Sequence, residues 1–327
     1  MLRFGSAALL GTIALSAFGQ SPTLSFVEKT NSHIDIVRNG KPLVRFVNAK
    51  RDGTTKDTHE LTFKPFHHIY DPVNQETLLT NGVGHAANKE LLYPHHRGLF
   101  YAFNKVSYGK EKCDVWHGRN GEYVEFDKTI VQEASGHTAK HSAALSWHGT
   151  KGDVFAQEVR TVTVVDRADG IIIDFASTLT TKLEKVMLDG DPQHAGFHFR
   201  AAMEVAKSGK ANTYYLRPDG QGEIGKTRNW DAKTKDPQTV NLPWNACSFV
   251  VANKRYTVLR IVHPDNPRET RGSERDYGRF GDYFEWSLTP STPLTVQYRI
   301  WVQAGEMTVK QCQVMAEEFT RKAKSGD

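Results

Sequence analysis

Cysteine is scarce. The 327 residues hold three: Cys113, Cys247 and Cys312. So small and odd a number excludes a disulfide framework and leaves room for one bridge and a free thiol. With no Cys-x-x-Cys pair, a thiolate zinc site is not expected either. A dominant sign of charge is also missing. The 42 Lys and Arg are scattered among 37 Asp and Glu, for a net charge of +5. Without a basic stripe, nucleic acid is not an expected partner. There is no Gly-x-Ser-x-Gly elbow, Walker-A loop, His-Glu-x-x-His pair or dinucleotide fingerprint. No repeat, low-complexity run or Pro/Ser/Gly linker breaks the chain. Past the first twenty residues no apolar run is long enough to span a bilayer, which takes roughly 20 residues.

The first residues, "MLRFGSAALLGTIALSAFGQ", are the exception. Arg3 supplies a short positive start, Phe4 to Ala17 an apolar stretch, and Ala17-Phe18-Gly19 a small-x-small site for cleavage before Gln20. The expectation is a signal peptide over 1–19 and an exported, periplasmic or extracellular protein with no stable membrane insertion after cleavage. Apolar content of 39% and aromatic content of 10% suffice for a packed core over 20–327, expected as one domain.

That core reads as β. "HIDIVRNGKPLVRF" alternates on both sides of Asn39-Gly40, the pair preferred by a type I′ turn. "DVFAQEVRTVTVVDRADGIIIDFASTLTT" predicts a longer hairpin turning within 166–170, and "CSFVVANKRYTVLRIVH" a third turning near Asn253. "PLTVQYRIWVQ" is a late strand. Successive hairpins imply antiparallel sheets packed face to face. One helix is expected, at about 308–322. Thr308 and Gln311 form a capping-box pattern, and Val309, Cys312, Ala316 and Phe319 recur at helical spacing.

Chemistry-bearing residues gather in a few stretches. "YPHHRGLFYAF" puts His95, His96 and Arg97 at the mouth of an apolar run. In "QHAGFHFRAAMEV" alternation sends Ala195, Phe197, Phe199, Ala201 and Met203 to one face, and His194, Gly196, His198, Arg200 and Glu204 to the other. Two histidines, an arginine and a glycine that lets a ligand approach suggest a cleft wall. The late strand places Gln297, Arg299, Trp301 and Gln303 opposite Leu294, Val296, Tyr298, Ile300 and Val302. An indole with Arg and Gln suits a sugar's C–H face and hydroxyls, and cover by the C-terminal helix explains the same residues equally well.

Fourteen histidines raise the question of a metal. His194 and His198, four strand steps of roughly 3.3 Å apart, cannot share one ion. A set drawn from several segments, such as His95, His117 and His194, is the arrangement that would. For acid–base work the histidines His95, His96, His117, His194 and His198 lie nearest neutrality. Acidic partners would come from Asp114, Glu122, Asp189, Asp191, Asp276 and Glu285, and phenols from Tyr277 and Tyr283.

These stretches resemble a family. "YPHHRGLFYAF" resembles the "HPHHRGLW" signature of the PmoA-like family of unknown function, common in exported bacterial proteins. "DVWHG" resembles its Asp-x-Trp continuation, and "HAGFHFRAA" its Gly-Phe-x-x-Arg strand. "VHPDNPRETRGSERDYGRFGDYFEW" resembles its "HPDNPRHPTRWHVRDYG" block, and "LTVQYRIWVQAGE" its closing Tyr-Arg strand. The matches span most of the chain in order. Tyr93 stands where a His is common, Phe100 replaces a Trp, and "RGSERDYG" lacks the Trp-His. The family label points to a methane monooxygenase subunit, an integral membrane protein that a chain without spans does not match. The resemblance implies a large galactose-mutarotase-like β-sandwich and a link to sugar degradation. It marks His95, His96, Arg97, Asp114, His198, Arg200, Asp276 and Tyr277.

The sequence thus predicts an all-β antiparallel sandwich closed by a C-terminal helix. It predicts an exported carbohydrate-active protein with His95, His96, His198, Asp114 and Tyr277 as catalytic candidates. Arg97, His194, Arg200, Arg299, Trp301 and Asp276 are the substrate-binding candidates. The expected ligand is a carbohydrate; the cofactor is unknown, with none expected and a metal left open. Lyase, hydrolase and epimerase chemistry stay open, as do a non-catalytic glycan-binding protein and the metal-dependent oxygenase of the family label.

Overall fold

A computed structural model describes residues 23–82 and 91–325. The expected leader and its cleavage site lie outside the described residues. Two large antiparallel sheets, of eight and nine strands, carry the molecule, with a four-stranded sheet beside them. In the eight-stranded sheet Leu99–Phe103 and Arg279–Tyr283 flank Ala195–Arg200. In the nine-stranded sheet Leu294–Ala304 lies between Lys254–Val262 and Gly170–Thr180. The small sheet joins Trp286–Leu288, Val186–Asp189, Lys105–Tyr108 and Glu111–Cys113.

The hairpins form where turn chemistry puts them. Arg38 pairs with Lys41 across Asn39 and Gly40, both at positive φ, as a type I′ turn requires. Arg167 pairs with Gly170, and Val251 with Lys254 across Ala252-Asn253. Between the large sheets Phe197 stacks on Tyr298 at 4.4 Å and meets Phe175 at 4.5 Å. Each such fully buried ring contributes about 1.5–3 kcal/mol.

The terminal helix spans Val309–Ser325. Its capping box is formed: Gln311 N donates to Thr308 Oγ1, and Thr308 N to Gln311 Oε1. Cys312 and Ala316 pack with Trp244, Leu259, Ile261 and Trp301 on the outer face of the nine-stranded sheet. All three cysteines are free and buried, so no bridge forms. A short helix, Lys56–Thr62, was not anticipated. It is capped by Thr55 and leads into Phe63 and Lys64, which sit beneath the site.

Candidate active site

Three loops converge above the middle of the eight-stranded sheet. The first runs into Leu99–Phe103 and carries His95 and His96. It is fastened by Asn81, whose amide nitrogen donates to the His96 carbonyl at 2.7 Å. Gly98 N donates to Asn81 O, and Arg200 N to Gly98 O. Gly98 adopts φ +47, and a Cβ there would lie 2.0 Å from the His67 carbonyl oxygen, so the HHR turn closes only on glycine.

The second and third loops use one local device. In Asp114-Val-Trp-His117, Asp114 Oδ1 accepts from the backbone N–H groups of Trp116 and His117, and Oδ2 lies 2.7 Å from His117 Nδ1. In Asp191-Pro-Gln-His194, Asp191 Oδ1 accepts from Gln193 N and lies 3.0 Å from His194 Nδ1. Each carboxylate thus folds its own turn and fixes the ring three residues on, turning Nε2 away from itself. Asn104 holds the other Asp191 oxygen at 2.8 Å. Burial alone would raise the Asp191 carboxyl. The hydrogen bond and charge of His194, with the bonds from Gln193 and Asn104, outweigh it and hold the group below the ordinary carboxylate range.

His95, His117 and His194 meet there. Their ring centroids lie 4.6 Å (95–117), 4.9 Å (117–194) and 5.6 Å (95–194) apart. One ring nitrogen from each falls within 4.8 Å of the other two, a set able to hold a metal ion. His95 Nε2 is buried and has no hydrogen-bond partner among the described residues. Burial, helped by His117, Lys64 and His194, pushes the His95 imidazole down to about 2, so it stays neutral. His96 packs behind, 4.2 Å from His95, with both ring nitrogens buried and without a hydrogen-bond partner among the described residues.

Lys64 binds two of the loops together from below. Its Nζ donates to the carbonyls of His95 at 3.0 Å and Trp116 at 2.6 Å, under the rings of Phe100 and Trp116. Burial, then the Arg97 charge, lowers its pKa well below the ordinary lysine value. At the rim Tyr93 is 41% exposed and stacks on Tyr277 at 4.5 Å and 17°. Tyr93 has φ 57, uncommon for a bulky residue, and its backbone carbonyl accepts from His96 N. Asn104 and Asp114 also line an open polar cleft of about 550 Å³, with Lys105, Lys112, Glu122 and Asp189.

Other expected site residues lie elsewhere. Arg97 is fully buried and turns away, donating to the Glu60 and Pro94 carbonyls over the Phe63 ring. His198 has both nitrogens occupied, Nε2 by Ala195 O and Nδ1 by the Arg279 guanidinium, and is fully buried. Arg200 lies under Tyr277 and donates to the carbonyls of Ala201 and Tyr277. The strand Ala195–Arg200 is buried throughout, because strands flank it on both sides and both its faces are covered. Gly196 makes room for a neighbouring backbone and not for a ligand: a Cβ there would lie 2.0 Å from the Asp282 carbonyl oxygen. Arg299 and Trp301 are on the outer face of the nine-stranded sheet, away from the cluster. Arg299 is paired with Asp174, and Trp301 is 4% exposed beside the terminal helix. Asp276 is half-buried in the turn beside Tyr277.

Sequence reading missed Lys64 and the repeated spacing. "DVWH" and "DPQH" are both Asp-x-x-His, a signal visible without a structure. No signal singled out Lys64, which is one lysine among many.

A family model matches residues 33–317. The chain belongs to a family of unknown function, DUF6807. That description gives no activity, and the methane-oxygenase label attached to the motifs stays an expectation. No curated protein matches the chain. Among solved structures it is similar to the Slr1438 protein from Synechocystis sp. PCC 6803, at 9% identity and TM-score 0.41, covering 90% of this chain and 100% of that one. A galactose mutarotase-like protein from Clostridium acetobutylicum aligns at 9% identity and TM-score 0.38, over 88% and 100%. The α-galactosidase from Lactobacillus brevis aligns at 8% and 0.40, over 91% of this chain but 41% of its own length. The chain therefore spans less than half of that enzyme.

Proposed function

We propose that the protein is a carbohydrate-active enzyme whose reaction centre is the cluster of His95, His117 and His194. The observation that carries this reading is their convergence: three loops place one ring nitrogen each within a 4.8 Å group. Two of the rings are oriented by carboxylates, the arrangement that fixes a tautomer and strengthens the free nitrogen as a base or ligand. A centre of this kind withdraws a proton from a sugar hydroxyl or a bound water. The exposed Tyr93 ring, backed by Tyr277, offers a saccharide's C–H face a stacking surface at the rim. The polar cleft bordered by Asn104 and Asp114 offers partners for hydroxyls. A purely glycan-binding role drew its support from Trp301, which lies beneath the helix.

The test is a panel of plant and algal glycans incubated with the protein, with products read by mass spectrometry. Products gaining water identify a hydrolase, and unsaturated products a lyase. An epimer of unchanged mass appears in the anomeric and ring-proton NMR signals. Tyr93→Ala is expected to raise KM several-fold with little change in kcat. If the wild type acts on a glycan and His117→Ala/His194→Ala acts equally well, the assignment is wrong. Export belongs to the same proposal, and N-terminal sequencing of the cell's own protein is expected to begin at Gln20.

A further inference from the structure

We infer that His95, His117 and His194 hold a divalent first-row transition ion of the Zn²⁺ type, with a fourth position open to water or a substrate oxygen. The inference stands on the site's geometry and does not depend on carbohydrate being the substrate.

Four observations converge. The donor set is three imidazole nitrogens and no oxygen, which suits zinc and its neighbours and not Ca²⁺ or Mg²⁺. The ligand atoms lie within 4.8 Å of one another. Around a tetrahedral ion with bonds of about 2.1 Å they would stand about 3.4 Å apart, so the widest pair need close by at most about 1.4 Å. His117 and His194 each have Nδ1 on a carboxylate, at 2.7 and 3.0 Å, leaving Nε2 as the ligating atom. This is the outer-shell arrangement that orients metal-bound histidines. Last, His95 Nε2 is buried without a hydrogen-bond partner among the described residues, a costly state that an ion would relieve.

The scaffold is built for the same end. Lys64 ties the His95 loop to the Trp116-His117 loop, and Asn104 secures Asp191. The loops do not have to assemble around the ion. Three protein ligands with one place free is the composition of catalytic zinc sites, whose ion acidifies a bound water or polarises a bound oxygen.

The experiment dialyses the purified full chain against Zn²⁺, or separately Co²⁺, removes free ion and measures bound metal by mass spectrometry. One equivalent per chain is expected, with visible ligand-field bands in the Co²⁺ form. His117→Ala and His194→Ala are expected to lose the ion. Asp114→Asn and Asp191→Asn, which disturb the fold less, are expected to keep the site but weaken affinity about 10–100-fold. Tyr93→Ala is expected to retain the full equivalent even where it raises KM for a saccharide, which separates failure of the metal site from failure of the carbohydrate reading. Less than a tenth of an equivalent in folded wild-type protein would overturn the inference. So would affinity unchanged in the His117→Ala/His194→Ala chain.

Discussion

Single side chains do different work here from what their chemical types advertise. Arg97 and His198 come from the most suggestive stretches, yet both are buried and turned toward backbone or neighbouring side chains. Lys64, which nothing in the sequence singled out, holds two loops of the candidate site together. Lys64→Met is expected to leave two buried carbonyls without a donor and to destabilise the fold by about 2–4 kcal/mol, measured by urea unfolding. It should also lower turnover more than an equally destabilising core change such as Leu188→Ala. The cysteines give a second residue-scale test. Burial pushes the thiols of Cys113 and Cys312 up to about 12 and raises that of Cys247. In native protein none is expected to react with a thiol reagent at pH 8, and all three should react in guanidinium. Fast labelling of any one in the folded state would contradict the burial described.

At the scale of elements, the strands were legible because alternation and turn chemistry are local. The Asn39-Gly40 hairpin, the 166–170 turn and the helix cap at Thr308 all appear where residue types place them. Alternation also sorted the faces of Leu294–Ala304 correctly, but it cannot say what covers a face. The Arg299–Trp301 face meets the terminal helix. Trp301→Ala is therefore expected to cost about 3–5 kcal/mol of stability while leaving KM unchanged in whatever fraction is folded. Acid sensitivity also belongs to the elements. Burial drives the histidines on and beside Phe66–Ile69 down: His67 well below its ordinary value with Arg160, His141 and His68 nearby, His68 to about 3 beside Arg45, and His141 to about 4. Their folded forms bind protons less readily than the unfolded chain, so stability is present above about pH 6.5 and is lost as pH falls. Unfolding at pH 5.5 is expected to take up at least about three protons, two to three of them from these groups and the rest from other histidines that burial holds down, such as His95. Calorimetry in buffers of different ionisation enthalpy measures the number, and no uptake would refute the burial.

For the whole molecule, the candidate site was legible only in pieces. His95, His117 and His194 were each visible as candidates, and their meeting was one of several open combinations. What brings them together is long-range: Leu99–Phe103 pairs antiparallel with Ala195–Arg200, so the first and third loops enter from opposite ends of the pair and meet over its face, and Lys64 ties the second loop to the first. Neither pairing has a local signature. Among the described residues no helix is long and apolar enough to cross a membrane. The central claim is that the three imidazoles act as one centre, and kinetics on whichever glycan the panel identifies tests it most directly. His117→Ala and His194→Ala would be compared singly and together. The account predicts that each single change lowers kcat/KM at least about 100-fold and that the double change lowers it little further, as for groups acting as a unit. Small losses that multiply in the double variant would mean that the histidines act separately and that the centre lies elsewhere.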